Sequence, residues 1–330
     1  MSRSISISYA SYAVLFACLL GAPRSATAEN DNNVERHLRD QYQFKILVLR
    51  GFYSGTALHY DADGALREGG SAGDWTEHGV VQVNDFKVRR DRLVIRGGRI
   101  HYIWTRDGMT RLHEVDGKGK PDKDEKKNRD LEIAAEIGPG GMTEQAVDAI
   151  MAKIFLSAND NFADVVPDYW KPCVRAALNA DGEQKLPRCV FSPEFLGVPG
   201  VAHASDSPAK LEPQSPPKIQ HFGPRSPQPP VEANGVYKVG RGVSAPKAIF
   251  MPNPEFSEEA RKAKYQGTVV LDLVVNEEGQ PTKIHIISPI GCGLDAKAVQ
   301  SVSMWKFQPA EKDGQPVPVE IAVETDFHLY

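Results

Sequence analysis

The sequence has little cysteine, little excess charge and no long apolar run. Its 330 residues include four cysteines, and the formal net charge is −4 at pH 7. Proteins that bind nucleic acids usually carry a basic face, so this balance argues against a nucleic-acid partner. A membrane-spanning helix needs about 20 consecutive apolar residues, and the sequence holds no run of that length. The composition therefore indicates an ordinary globular protein that is long enough for two domains.

Short motifs of common catalytic and metal sites are also missing. The nine histidines form no HExxH pair, and no CxxC motif accompanies the cysteines, which argues against a zinc site. The glycine-rich segment 138–141 is not followed by the Lys-Ser/Thr pair of a phosphate-binding loop. We therefore predict no metal, no cofactor and no catalytic residues, and a protein that is not an enzyme.

The N-terminus has the pattern of a secretory signal peptide. Arg3 supplies a short basic start, an apolar stretch covers Tyr12 to Ala22, and Ala26-Thr27-Ala28 has the small-x-small pattern of a cleavage site. We expect residues 1–28 to be removed after Ala28 and the remaining chain to be exported. Two alternatives stay open: an uncleaved anchor formed by residues 12–22, and a lipoprotein modified at Cys18.

Export changes what the cysteines can do. Removal of the signal leaves Cys173, Cys189 and Cys292. In an oxidising compartment Cys173 and Cys189 can form a disulfide, which would stabilise the fold by roughly 3 kcal/mol. The alternative is that both are buried free thiols. Cys292 is the odd one of the three and lies outside this pair.

Proline is concentrated in one part of the chain. Eight of the 24 prolines lie in the 23 residues from Pro208 to Pro230. Proline lacks a backbone N–H and restricts φ, so neither a helix nor a sheet continues through such a segment, and we expect a semi-rigid linker. The predicted organisation is a signal peptide at 1–28, a β-rich module at 29–200, the linker at 201–240 and a C-terminal domain at 241–330.

The module at 29–200 mixes strand-like and helical patterns. Gly97-Gly98 lies between two strand-like runs, Arg92–Arg96 and Arg99–Trp104, and predicts a two-residue hairpin turn. Helical spacing begins after Gly141, where Thr143 can cap the first turn. Further predicted features are strands at Phe44–Arg50 and Val80–Val88, a turn at Asp61–Gly64, a charged loop at Asp116–Asp130 and short or broken helices over Phe162–Leu178. These patterns indicate a curved antiparallel sheet with helices packed on it.

The C-terminal residues follow an α-β-β-α-β pattern. Apolar residues alternate with polar ones along the first and last strands, which is typical of a sheet with one buried and one solvated face. The predicted elements are a helix at Ser257–Lys264, strands at Thr268–Val275 and Thr282–Ser288, a helix at Leu294–Trp305 and a strand at Val319–Leu329. We predict an α+β fold in which this domain has a three-stranded antiparallel sheet.

Five short motifs in this domain occur together at a specific spacing. They are Tyr265-Gln266-Gly267-Thr268-Val269-Val270, a hairpin at Gly279, Gly293-Leu294-Asp295, Trp305-Lys306-Phe307-Gln308-Pro309-Ala310 and Asp313-Gly314-Gln315-Pro316-Val317. The set resembles the C-terminal domain of the TonB energy-transducer family. The resemblance covers roughly residues 240–330, and a proline-rich linker before the domain is also typical of that family.

The resemblance implies a function in the periplasm. The domain of that family binds the TonB box of outer-membrane receptors as an extra strand, because an edge strand presents unpaired backbone groups. The expected result is a periplasmic adaptor that supports transmembrane and protein transport. An inner-membrane proton-driven motor complex and a second copy of the chain are further expected partners. The predicted binding residues lie on the last strand: Val319, Ile321, Val323, Thr325, Phe327 and Leu329.

Two departures from the family pattern leave other functions open. A typical member keeps an uncleaved N-terminal helix with a functional histidine, whereas the apolar stretch here is short and contains no histidine. The usual Pro-x-Tyr-Pro reads Pro254-Glu255-Phe256-Ser257, which loses the tyrosine hydroxyl. The alternatives are an envelope scaffold without energy transduction and an unidentified enzyme within residues 29–200.

Overall fold

A computed structural model describes residues 24–89, 91–112, 130–178, 186–201 and 235–329. The predicted apolar stretch at 12–22, nearly all of the proline-rich linker and nearly all of the charged loop lie outside these described residues. The predictions made for those segments therefore stay predictions.

The N-terminal module is built on a six-stranded mixed sheet. The strands of the module in the described residues are β1 (Ile46–Val48), β2 (Ala57–Tyr60), β3 (Leu66–Glu68), β4 (Val80–Arg89), β5 (Arg92–Arg99), β6 (Tyr102–Thr105), β7 (Gly108–Arg111) and β8 (Asp130–Glu136). The sheet order is β1-β4-β5-β8-β2-β3, and the β2–β8 pair is parallel. Strands β6 and β7 form a separate hairpin. The sheet therefore has one parallel pair that the antiparallel expectation did not include.

Seven short helical segments accompany this sheet among the described residues. They are α1 (Arg24–Tyr42), α2 (Trp75–His78), α3 (Glu144–Ile154), α4 (Phe162–Val165), the 3₁₀ turn η1 (Asp168–Trp170), α5 (Lys171–Leu178) and α6 (Pro193–Leu196). Thr143 caps α3 as predicted, since its hydroxyl accepts a hydrogen bond from the Ala146 amide at 3.1 Å. The broken helices expected near residue 170 are α4, η1 and α5.

Helix α1 was not predicted. Val34 and Leu38 lie one turn apart and are buried against the sheet, while Arg39 Nε donates to Asp85 Oδ1 at 3.3 Å. The two residues of the predicted cleavage site, Ala26 and Ala28, fall within this helix. Among the described side chains, the contacts that anchor it begin at Asn30, whose Nδ2 donates to the Met142 carbonyl oxygen at 2.7 Å, and continue with Val34 and Leu38.

The predicted hairpin at Gly97-Gly98 is wrong. Both glycines lie inside β5, where Gly97 pairs with Val83 of β4 and Leu131 of β8. A β-carbon at Gly97 would lie 2.5 Å from the Gln82 carbonyl oxygen, so the residue permits a close backbone approach. The glycine pair therefore lies inside a strand, where it permits close packing against β4.

The C-terminal part contains a four-stranded sheet covered by one long helix. Its elements are β9 (Tyr237–Lys238), β10 (Lys247–Phe250), α7 (Glu258–Lys262), β11 (Gly267–Val275), β12 (Pro281–Ser288), α8 (Leu294–Ser303), β13 (Lys306–Gln308), β14 (Ala310–Lys312), β15 (Gln315–Val317) and β16 (Val319–Phe327). The sheet order is β12-β11-β16-β9. The three predicted strands pair antiparallel, and the two-residue β9 adds to them in parallel.

One hydrophobic core runs through both parts of the chain. Trp75 and Trp104 of the module belong to the same buried cluster as Leu271, Leu294 and Phe327 of the C-terminal part. Trp75 is at the centre of an aromatic group whose other members are Tyr102, Trp104, Phe162, Trp170, Phe191 and Phe195. The described parts of the module and the C-terminal domain are thus packed together.

A disulfide joins two segments of the module. The sulfurs of Cys173 and Cys189 are bonded, which joins α5 to the chain that leads into α6. Cys292 is buried and takes no part in this disulfide. Because α5 and η1 pack on β12, the disulfide holds the module's cover over that strand.

Candidate functional site

The last strand is paired completely on one side and barely on the other. All nine residues of β16 pair with β11, from Val319 opposite Val275 to Phe327 opposite Gly267. On its other side β16 pairs with β9 only at Val319 and Glu320. From Ile321 to Phe327 no described strand pairs with this side of β16, and we call this side the open edge.

The direction of the backbone groups at the open edge follows from one hydrogen bond. The Tyr237 amide of β9 donates to the Pro318 carbonyl oxygen at 2.9 Å, so Pro318 faces the β9 side. Backbone groups alternate in direction along a strand, and therefore Ala322, Glu324 and Asp326 also face that side. Their N–H and C=O groups are the ones that an added strand can reach.

Five of the six residues predicted to bind a partner lie on the core side of the sheet. Val319, Thr325 and Phe327 are buried, and Ile321 and Val323 are half-buried against the core. Leu329 lies beyond the strand, where its amide donates to Gln266 Oε1 at 2.8 Å. These side chains hold the strand in place, and the open edge itself is formed by the backbone groups of the intervening residues.

The solvated face beside the open edge is acidic. Glu320, Glu324 and Asp326 occupy alternate positions of β16, and Asp272 of β11 lies opposite Ala322 between them. Burial and the neighbouring Glu320 carboxylate raise the pKa of Asp272 to about 7. Two carboxyl groups so close together cannot both ionise easily near neutral pH.

The other edge of the sheet is covered. Strand β12 packs against η1 and α5 of the module, and Cys189 Sγ lies 4.0 Å from the Ile287 carbonyl oxygen of that strand. A second strand would have to displace these segments before it could pair with β12. The open edge of β16 is therefore the accessible one in the described part of this sheet.

The loop before α8 attaches the sheet to the module. Trp104 donates its amide to the Ile290 carbonyl oxygen at 2.9 Å, and the Cys292 amide donates to the Tyr102 carbonyl oxygen at 2.7 Å. The Gly293 amide donates to Thr76 Oγ1 at 3.0 Å. The segment Gly293-Leu294-Asp295 thus lies at the interface between the two parts.

Asp295 stabilises that loop by accepting hydrogen bonds from its backbone. Its two carboxyl oxygens accept hydrogen bonds from the Ile290 amide at 2.9 Å and from the Gly291 amide at 2.6 Å. The side chain is fully buried, and burial raises its pKa to about 7. The role of Asp295 is therefore structural, since both of its carboxyl oxygens accept hydrogen bonds from backbone N–H groups of a tight loop.

A polar cleft of about 1280 Å³ lies beside this interface, between α2 and the helices α7 and α8. Glu77 reaches into it with 8% of the residue exposed, and burial together with the Asp74 carboxylate raises its pKa to about 8. Asp74 itself is buried and accepts hydrogen bonds from the Thr76 hydroxyl and from Trp170 Nε1 at 2.8 Å. These carboxyl groups face the junction of the two parts.

One short motif in the cleft was not identified from the sequence. Gly69-Gly70-Ser71-Ala72-Gly73 fits the GxSxG pattern of serine hydrolases. Its Ser71 hydroxyl lies 3.3 Å from Ser54 Oγ, and within the described ranges no histidine forms a hydrogen bond with it. A nucleophilic serine needs an adjacent base, so the motif does not form a catalytic pair.

Comparisons with known proteins find similarity to TonB proteins. The family model described as Gram-negative bacterial TonB protein C-terminal matches residues 252–329. The protein TonB of Vibrio cholerae is 29% identical over 104 residues, which cover 31% of this chain and 43% of that protein. The protein tonB2 of Pseudomonas aeruginosa is 32% identical over 82 residues, or 24% of this chain and 30% of that protein.

The matches cover only part of each chain. This chain spans less than half the length of either of these relatives. A solution NMR structure of the Pseudomonas aeruginosa TonB CTD matches 27% of this chain and 89% of its own, at 18% identity and a TM-score of 0.23. The family match falls on the end of the chain where the motifs occur. Residues 252–329 of this chain are therefore a TonB-family C-terminal domain.

Proposed function

We propose that this protein is a periplasmic adaptor whose C-terminal domain binds outer-membrane receptors by strand addition. The observation that carries the proposal is the open edge: the backbone groups of Ala322, Glu324 and Asp326 face away from β11, and β9 covers only the start of the strand. An extended receptor segment would satisfy these groups and add a strand to the sheet. In this way the protein would support transport through the receptor.

A test combines a peptide with one substitution at the edge. The full chain is mixed with a peptide that copies the TonB box of an outer-membrane receptor, and amide hydrogen exchange is measured. We expect slower exchange at Ala322, Glu324 and Asp326. Ala322→Pro should abolish this binding, because it removes an outward N–H while β11 keeps its own hydrogen bonds.

Ala322→Val is the matched control, since valine keeps the N–H and suits a strand. Equal binding by the proline and valine variants would contradict strand addition at this edge. An unfolded proline variant, detected by circular dichroism, would instead show that Ala322 faces β11 and that the direction of the backbone groups is wrong.

Export is a separate part of the proposal. We propose that residues 1–28 direct the chain to the periplasm and are cleaved after Ala28. Helix α1 would then begin at Glu29, and its anchoring residues Val34 and Leu38 would remain. None of the helices in the described ranges is both long and apolar enough to cross a membrane. Mass spectrometry of the exported protein tests this, and a chain that retains residues 1–28 would favour an anchor and contact with an inner-membrane motor.

One observation favours a second function, that of an envelope scaffold. The module covers β12 and shares a core with the C-terminal domain, so the two parts form a single packed unit. Such a unit could hold a partner without transmitting energy. Transport assays in cells with and without this protein distinguish the two functions. If the protein is a scaffold, it would bind a receptor, but its deletion would leave energised uptake unchanged.

A further inference from the structure

The chain itself supplies one example of pairing at the β16 edge. In β9, Lys238 lies opposite Glu320, and its Nζ is 3.9 Å from Glu320 Oε2. Its neighbour Tyr237 packs under Lys312, whose Nζ lies 4.8 Å from the ring centre. Where this edge is already paired, an acidic residue of β16 therefore faces a basic residue of the adjacent strand.

The acidic pattern continues past the end of β9. Glu324 and Asp326 lie on the same face as Glu320, because side chains two residues apart point to the same side of a sheet. Both are exposed, and in the part of the chain that the structure describes neither forms an ion pair. The Thr268 hydroxyl of β11 donates to Asp326 Oδ1 at 2.5 Å, so one oxygen of this carboxylate is bonded on the β11 side of the strand.

The chain after β9 leaves this part of the edge open. Gly240, Arg241 and Gly242 all have positive φ values, of 109°, 51° and 89°, and they turn the chain away from β16. A cation on an added strand would therefore meet Glu324 and Asp326 without displacing Lys238.

We propose that the open edge selects an extended partner segment with basic side chains at alternate positions. The inference rests on the proposed function, since it names the chemistry of the strand added there. Opposite charges that face each other across two strands favour pairing, and two such pairs should strengthen binding by roughly tenfold. A segment with acidic residues at the same positions should be rejected by repulsion.

The experiment compares three peptides on the full chain. Each is seven residues long and capped at both ends, with valine alternating with lysine, glutamine or glutamate. We expect the lysine peptide to bind roughly tenfold more tightly than the glutamine peptide at low salt, and the glutamate peptide to bind most weakly. The preference should shrink at 0.5 M salt, because exposed charges are screened.

Two double variants locate the effect. Glu324→Gln/Asp326→Asn should remove the preference for lysine and leave the affinity of the glutamine peptide unchanged. The control Glu277→Gln/Glu278→Gln makes the same change in charge in the exposed β11–β12 hairpin and should keep the preference.

The outcomes separate this inference from the function on which it rests. If all three peptides slow exchange at Ala322, Glu324 and Asp326 with equal affinity, the charge selection is wrong and strand addition stands. A preference that persists in the edge variant also overturns the selection. If no peptide slows exchange at those amides, strand addition is itself overturned.

Discussion

The α-carbon of Gly293 lies directly against the carboxyl group of Glu77. A β-carbon built on Gly293 would be 2.3 Å from Glu77 Oε2, and the residue has a φ of 73°. Gly293 belongs to a motif of the TonB-family domain, whereas Glu77 belongs to the module. A residue of a family motif therefore contacts the module directly.

Gly293→Ala should destabilise the protein by roughly 2–4 kcal/mol, because it adds a collision with Glu77 to the strain of a left-handed residue. Urea denaturation of the full chain measures this. Gly314→Ala is the matched control, since Gly314 has a φ of 77° and no atom within 4 Å of a built β-carbon. Its cost should be near 1 kcal/mol, and equal losses in the two variants would show that the contact with Glu77 is unimportant.

The free energy of unfolding should fall as pH rises from 6.5 to 8.5. Burial raises the pKa of Glu77 from 4.5 to about 8, so the folded protein keeps a proton that the unfolded chain has released. An acid with a raised pKa stabilises the fold at low pH, and this stability is lost as pH increases from 4.5 through 8. We expect a loss of about 2 kcal/mol across the measured window.

Substitution identifies the group responsible for that loss. Glu77→Gln should make the profile shallower, although Asp295 and Asp272, whose pKa values burial raises to about 7, keep part of the slope. Glu258→Gln, on the exposed side of α7, should leave it unchanged. The lower limit of pH 6.5 avoids His78, because burial lowers its pKa to about 4 and its effect has the opposite sign at lower pH. A variant of Glu77 with the original slope would contradict the assignment.

The disulfide between Cys173 and Cys189 should contribute about 3 kcal/mol, since it closes a loop between residues 16 positions apart. Replacing both cysteines with serine should lower the urea midpoint by the corresponding amount. Dithiothreitol should destabilise the original protein and leave the double variant unaffected. A variant as stable as the original would mean that α5 stays on β12 without the covalent link.

The C-terminal sheet could be predicted because its signals are local. Alternating apolar residues identify β11 and β16, and the turn at Gly279 joins β11 to β12. Strand β9 could not be found, since two residues have no periodicity and Tyr237 pairs with a strand about 80 positions later. The pairing of β9 with the start of β16 therefore depends on tertiary contacts that the local sequence does not show.

Other features depend on contacts that no local pattern contains. In α1, only Val34, Leu38 and Tyr42 show helical spacing in a polar segment, so the apolar signal is weak. The interface is formed by residues such as Thr76 and Gly293, which lie 217 positions apart. The alternation of polar residues along β16 indicates part of the acidic face. The presence of Asp272 on this face follows only from the register of β11 against β16.

The error at Gly97 yields a last prediction. A glycine pair between strand-like runs suits a hairpin turn, but it also suits a strand whose neighbour lies too close for a side chain. Gly97→Ala would place a methyl group 2.5 Å from the Gln82 carbonyl oxygen and 2.8 Å from Val81 Cγ1. We expect a loss of roughly 2–4 kcal/mol in the free energy of unfolding, because the β4–β5 pairing must separate to accept it. In Gly138→Ala the nearest atom would be Ala62 Cβ at 4.0 Å, so this control should be neutral or slightly stabilising. If Gly97→Ala were as stable as the control in urea denaturation, Gly97 would not lie inside a sheet.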